Sequence, residues 1–218
     1  MKKNSPISLM QLALLAGLAV VTLLGFIMIP ATAAVPIHWG VNGTPDAFWP
    51  RNYALAVLPV IALAMLCLNL IAGRRRSAQN GRHVARAAIT AALIICLAIQ
   101  GGVVMTALGR NIDMLQLVAL AEAVLMVLIG NALPKSQPNR YAGLRLPWTL
   151  ADPLIWQATH RLAGKLMIVF AVVLVIVAFV VPAGPWLVAA LVACVAVPML
   201  AASVISYRWS RHPERSNG

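Results

Sequence analysis

The sequence predicts an all-α membrane protein: a six-transmembrane-helix bundle with a short cytoplasmic interfacial helix between spans 4 and 5. Three observations predict it. The 218 residues are 61% hydrophobic and 10% charged, with a mean hydropathy of +0.88, where a soluble domain carries far more charge. Several apolar runs reach the roughly 20 residues that cross about 30 Å of hydrocarbon. The polar stretches between these runs are too short to hold a second core. The chain, 1–218, therefore reads as a single polytopic membrane domain. Within it, 9–72 form an N-terminal two-span unit with an outer loop at 30–52. Residues 87–206 form a four-span unit with a cytoplasmic motif loop at 130–165.

The first apolar run, Leu9 to Ile29, follows a basic start, Met1-Lys2-Lys3, and precedes Ala31-Thr32-Ala33. That order resembles a secretory signal with its cleavage site, but the run is longer than the usual signal core, and we read it as an uncleaved first span. The outer loop follows. Asn42-Gly43 favours a tight turn with positive φ, while Pro36, Pro45 and Pro50 stiffen the rest. Trp39, Phe48 and Trp49 suit an interfacial aromatic belt. Span 2 covers Tyr53 to Ala72. Arg74-Arg75-Arg76, Arg82 and Arg86 form a basic link, and span 3 runs from Ala87 to Leu108. The tight link Gly109 to Asp113 leads into span 4, Met114 to Leu133. Span 5 covers Leu166 to Val181, Pro182-Ala183-Gly184-Pro185 is a minimal turn, and span 6 runs from Trp186 to Ser206 before a basic tail.

An even number of spans puts both termini on one side. Of the 17 Lys and Arg residues, all but Arg51 and Arg110 fall in the termini and in the second and fourth links. Positive charge stays inside, so the termini and the motif loop are expected in the cytoplasm, with His38 and Asp46 outside. The net charge of +12 sits at span ends rather than on one soluble surface. This points to anionic lipid of the bilayer and away from direct nucleic-acid binding. Cys67, Cys96 and Cys194 lie inside apolar runs with no CxxC or Cys/His cluster. They read as small buried hydrophobes, with no metal site, disulfide or cofactor implied.

Glu122 is the one carboxylate deep in a span, and burying it is costly unless it is protonated or paired. Gln100 is equidistant with it from Asn111, the centre of the span 3–span 4 hairpin. At about 1.5 Å rise per residue both reach one depth. Thr106 and Gln116 are matched in the same way, although layers six residues apart on a helix point about 120° away from each other. A Gln100–Glu122 hydrogen bond holding the hairpin is the leading reading. A proton or ligand site and an inert protonated Glu122 are the alternatives.

The longest polar interruption is Gly130 to Lys165. Pro134 closes span 4, and Pro138, Gly143 and Pro147 keep Lys135 to Trp148 out of helix. Thr149 to Asp152 reads as a capping box with Pro153 early in the helix. The helix from Leu150 would lie in the headgroup plane, anchored by Trp148 and Trp156, with Gln157, His160, Arg161 and Lys165 around its polar side. Asp152 and His160, about 12 Å apart along that helix, are too distant for an acid–base dyad. His160 reads as a cap or headgroup contact. No nucleophile elbow, metal motif or phosphate loop appears, so no catalytic residue is assigned.

Here a resemblance becomes specific. Gly130-Asn131, Leu133-Pro134-Lys135, Pro138-Asn139, Gly143-Leu144-Arg145-Leu146-Pro147-Trp148-Thr149-Leu150, Trp156, Thr159-His160-Arg161 and Gly164-Lys165 resemble the signature of the bacterial Sdp-toxin immunity-protein family (SdpI-like). Leu144 stands where Ile is usual, and Leu146 where Thr is usual. Pro36, His38, Gly43, Pro45 and Asp46 are similar to a domain of unknown function found at the N-terminus of many members. The resemblance implies a multi-pass inner-membrane protein that protects a cell from a membrane-active peptide toxin. It also implies signalling, by holding a cytoplasmic transcriptional repressor at the membrane. An outer loop around His38 and Asp46 would meet the toxin. A basic face of Arg140, Arg145, Arg161 and Lys165 with Arg74 to Arg76 would hold an acidic partner. The alternatives are a membrane transporter, or a membrane-protein partner for an apolar or lipid-like ligand.

Overall fold

The computed structural model describes residues 7–73 and 80–211. Arg74 to Arg76, Lys2, Lys3 and the tail from residue 212 lie outside the described residues. Six long apolar helices account for the spans: α1 Leu9–Met28, α2 Arg51–Gly73, α3 Arg82–Ala107, α4 Met114–Ala132, α6 Pro153–Val180 and α7 Pro185–Arg211. A five-residue helix, α5 Pro147–Ala151, precedes α6. Five of the six span assignments agree to within a few residues at each end. The exception is span 5. Its helix begins at Pro153 rather than Leu166, so the expected interfacial helix is not a separate element. Residues 153–165 are the first turns of α6.

Local chemistry fixes the ends. Ser8 and Gln11 form a reciprocal capping box at the start of α1, the pattern that satisfies two orphan N–H groups. At the other end of α1, the Arg51 guanidinium donates to the carbonyls of Phe26 and Ile29. These are carbonyls that a helix terminus leaves open. Gly109 turns the α3–α4 link with φ +78, and Asp113 caps α4 by accepting from Gln116 N–H.

The outer loop is a β-hairpin, β1 Ala34–Trp39 paired antiparallel with β2 Pro45–Pro50. The turn was legible at Asn42-Gly43, and Gly43 does take φ +76. The strands were not expected. Their register breaks around His38, and prolines at the ends of β2 spare the ladder the donors it would otherwise lose. Val35 buries its side chain with Ile29, Leu55, Val103 and Met114, which seats the hairpin on the bundle.

Two helix groups share the core. α1, α2 and α3 pack around Leu18, Ala62, Leu93 and Cys96. α4, α6 and α7 pack around Ala123, Met126, Met167 and Leu174. The α3–α4 hairpin joins them. Cys96 and Cys194 are buried as expected, whereas Cys67 is on the outer surface of α2. The motif loop, the start of α3 and the end of α7 meet at one end of the bundle. The β-hairpin, the α3–α4 link and the α6–α7 turn meet at the other.

The Gln100–Glu122 bond does not form. Gln100 points the other way, into the α1–α2 seam, where its Nε2 donates to Thr22 Oγ1 at 3.1 Å and to Leu55 O at 3.0 Å. Equal separation from Asn111 along two helices does not set the direction a side chain faces around the helix. Thr106 and Gln116 likewise part company: Thr106 bonds Gly102 O in its own helix and Gln116 reaches Ala178 O on α6. The Leu55 carbonyl needs Gln100 because Pro59, four residues on in α2, has no N–H to offer it. Gln100→Leu should therefore lower stability by about 1–2 kcal/mol, the cost of an unsatisfied buried carbonyl. Thermal unfolding in detergent checks this, and adding Pro59→Ala should recover much of the loss.

Candidate functional site

The polar stretch between α4 and α6 folds into a compact knot built on buried hydrogen bonds. α4 ends in a 3₁₀ turn, Leu133–Lys135, with Pro134 in its first turn. Ser136 follows, fully buried. Its hydroxyl donates to Leu133 O, and its carbonyl accepts from Trp156 Nε1–H at 3.2 Å and Gln157 Nε2–H at 2.9 Å. Asn139 shapes the next bend. Its Oδ1 accepts from the N–H groups of Tyr141 and Ala142, while its Nδ2 donates to Gln137 O and Ala142 O. The α2–α3 link docks here too, through Asn80 Nδ2 to Pro138 O and Gln137 N–H to Asn80 O.

His160 latches the far side of the loop. Its Nε2 accepts from Leu144 N–H at 3.0 Å, and its Nδ1 bonds the Trp156 carbonyl at 2.7 Å. A carbonyl can only accept and a backbone N–H can only donate, so the ring is the neutral tautomer with its proton on Nδ1. The imidazole stacks on the Trp156 indole, with centroids 4.0 Å apart and planes 19° apart. Gly143 passes this pair with φ +107, and a Cβ there would run into His160 Nε2. The expected headgroup contact for His160 is thereby corrected: the side chain is fully buried.

Thr149 ties the last bend, donating to Leu144 O and accepting from Leu146 N–H. It does not cap α6. Asp152 does, accepting from Leu154 N–H and Ile155 N–H, because the residue before a proline is driven to extended backbone and the helix restarts at Pro153. Trp148 anchors the loop to α7 by donating to Ser206 Oγ at 2.9 Å and packing edge-on against Tyr207. The two remaining motif glycines set the helix spacing. A Cβ on Gly164 would meet Gly130 O, and one on Gly130 would lie 2.9 Å from Gly164 O.

The motif residues thus divide. Asn139, Thr149, Trp156, Thr159 and His160 are buried and bonded within the knot, Thr159 to its own helix. Asn131, Lys135, Arg145, Pro147, Arg161 and Lys165 are exposed and Pro134 is partly so. Arg145 braces the loop by donating to Arg140 O. Lys135, Arg161 and Lys165 make no hydrogen bond or ion pair among the described residues. Ser136, the hub, was missed. It lies inside the motif run, yet a buried hydroxyl leaves no mark on a hydropathy pattern. On the hairpin, Pro36 is buried, and exposed His38 and Asp46 pair across the strands. Gly43 approaches Ala183 in the α6–α7 turn.

This is a multi-pass helical membrane protein whose largest polar element is a self-bonded loop at one end of the bundle. Residues 135–204 match the model of the SdpI/YfhL protein family, and residues 13–63 match a domain of unknown function (DUF1648). Immunity protein SdpI of Bacillus subtilis (strain 168) is 23% identical over 175 residues, covering 80% of this chain and 83% of that protein. No solved structure gives a significant match. Together these matches show a likeness to the SdpI/YfhL family over residues 135–204 and to the Bacillus immunity protein over most of both chains.

Proposed function

We propose that this protein is a non-enzymatic immunity and signal-transducing protein of the SdpI type in a bacterial inner membrane. The termini and the motif loop face the cytoplasm, and the β-hairpin faces outward to meet a membrane-active peptide toxin. The observation that carries the reading is the division of the motif. Its buried members are committed to holding the knot, which leaves Lys135, Arg161 and Lys165 as free cations on the same end. Such a rigid cationic face suits an acidic surface on a cytoplasmic repressor, with charge guiding the encounter. The likeness to the Bacillus protein over most of both chains supports the same reading.

Expression in a toxin-sensitive bacterium should raise survival, and unchanged killing would remove the immunity claim. Reversing Lys135, Arg161 and Lys165 to Glu should leave the melting temperature within about 1–2 °C, since exposed charges without partners contribute little. Survival should hold in that variant while repressor capture at the membrane is lost.

A second reading is favoured by an apolar groove of about 320 Å³ between α4 and α6, lined by Leu120, Val124, Val127, Val172 and Val175 among others. It would suit a lipid-like ligand of a transporter or partner protein. Photo-crosslinking of a lipid analogue that stops at Val127→Trp would support it.

A further inference from the structure

The loop from Ser136 to Leu146 is fastened to α6 through a ring that can take up a proton. His160 Nδ1–H donates to Trp156 O at 2.7 Å, and its Nε2 accepts from Leu144 N–H at 3.0 Å. Both ring nitrogens are committed. A proton arriving at Nε2 would make it a donor facing another donor, so an imidazolium cannot keep the Leu144 bond. The ring has no room to turn aside. It is fully buried, it stacks on Trp156, and Gly143 passes so close to Nε2 that a Cβ there would overlap it.

The surroundings give a protonated ring no compensation. The charged groups at this end of the bundle are nearly all cations. The loop and its 3₁₀ turn carry Lys135, Arg140 and Arg145, and α6 adds Arg161 and Lys165. The start of α3 brings Arg82 and Arg86 with the exposed His83, and the end of α7 brings Arg208 and Arg211. Like charges oppose a further positive charge among them. Among the described residues the one carboxylate at this end is Asp152, which is engaged in capping α6. Glu122 on α4 stands ten residues, about 15 Å, from that helix's end at Ala132. His160 forms no ion pair among the described residues.

We propose that His160 is a proton-operated latch on the motif loop: a proton taken up at Nε2 breaks the Leu144 bond, frees the loop from α6 and unsettles the cationic face that the knot displays. This rests on the reading of the loop as a cytoplasmic, partner-holding surface, and supplies the regulation of that surface. The closed loop excludes the proton and the open loop accepts it. Closure is therefore fully favoured above about pH 6.5, where a solvated imidazole titrates, and is lost as pH falls below that value. Opening becomes about thirtyfold more favourable between pH 8 and pH 5.

Proteinase K cleavage of the full-length protein in lipid nanodiscs, which leave both faces accessible, reads the opening. Each rate is divided by that for an unfolded peptide at the same pH. Wild-type cleavage between Ser136 and Leu146 should rise about thirtyfold from pH 8 to pH 5. His160→Gln offers Leu144 N–H an acceptor but cannot take up a proton, so its cleavage should stay level with pH, whatever its rate at pH 8. His83→Gln removes the exposed imidazole at the start of α3 and should keep the full rise. No rise in the wild type, or an equal rise in His160→Gln, overturns the proposal, as does a rise abolished by His83→Gln. Should the glutamine variant at 160 fail to fold, nitrogen NMR of the wild-type ring decides. The Nδ1–H tautomer giving way to imidazolium as cutting begins supports the latch, and an imidazolium under an uncut loop overturns it. No readout here needs a repressor, so a failed latch and a failure of partner capture are told apart.

Discussion

Trp156→Ala is expected to release the motif loop from the helices and lower stability by about 3–5 kcal/mol, the range for removing a fully buried large aromatic. Trp156 is completely enclosed. Its loss opens a void under Gly143, removes the donor to Ser136 O and leaves His160 without its stacking partner. Three motif residues then lose their places at once, which is why the effect should exceed that of any single hydrogen bond. Trp156→Phe is the useful contrast. It keeps most of the ring and its contact with His160 but not the N–H, so it should cost only about 1–3 kcal/mol. Melting curves in detergent give both values. Limited proteolysis should show cutting between Ser136 and Leu146 in the alanine variant and much less in the phenylalanine variant. Equal stability of the two would mean that the indole N–H, and not the buried ring, holds the loop.

The sequence made the spans legible because apolar length is a direct consequence of bilayer thickness, and no tertiary context changes it. Signals that depend on direction were not legible. Counting outward from Asn111 put Gln100 and Glu122 at one depth, but the seam each faces is set by how α3 and α4 roll against their neighbours. Span 5 was cut short for a related reason. His160, Arg161 and Lys165 interrupt the apolar run, and hydropathy cannot distinguish a helix that ends from one that continues with a buried imidazole and outward cations. The hairpin escaped because its alternation is broken at His38 and its prolines demote a strand reading. The motif loop was located residue by residue through its resemblance to a family. What its members do locally needed the three-dimensional arrangement, since Gly143, Trp156 and His160 are brought together only when the loop folds back on α6.

Gly164 is where sequence, packing and the function proposed for the loop converge most tightly. It stands one turn beyond His160 in α6 and faces Gly130 on α4, and each glycine leaves no room for a Cβ against the other's backbone carbonyl. Small residues let membrane helices approach this closely. A backbone atom cannot swing aside as a side-chain end can, so Gly164→Ala must push the two helices apart. Overpacking of this kind costs about 1–3 kcal/mol, occasionally more, even though alanine favours a helix over glycine by about 1 kcal/mol. The propensity gain makes the test discriminating: if the contact were loose, the variant would be more stable than wild type. We expect a lower melting temperature, and a larger fall for Gly164→Val. The separation would be felt at Pro134, which packs against the same point, and so at the start of the loop that presents Lys135. Repressor capture should therefore weaken in Gly164→Ala although no charge has been changed. The charge-reversal variant would show the opposite combination, lost capture with stability retained. Finding both patterns would separate the scaffold of the motif from the surface it displays.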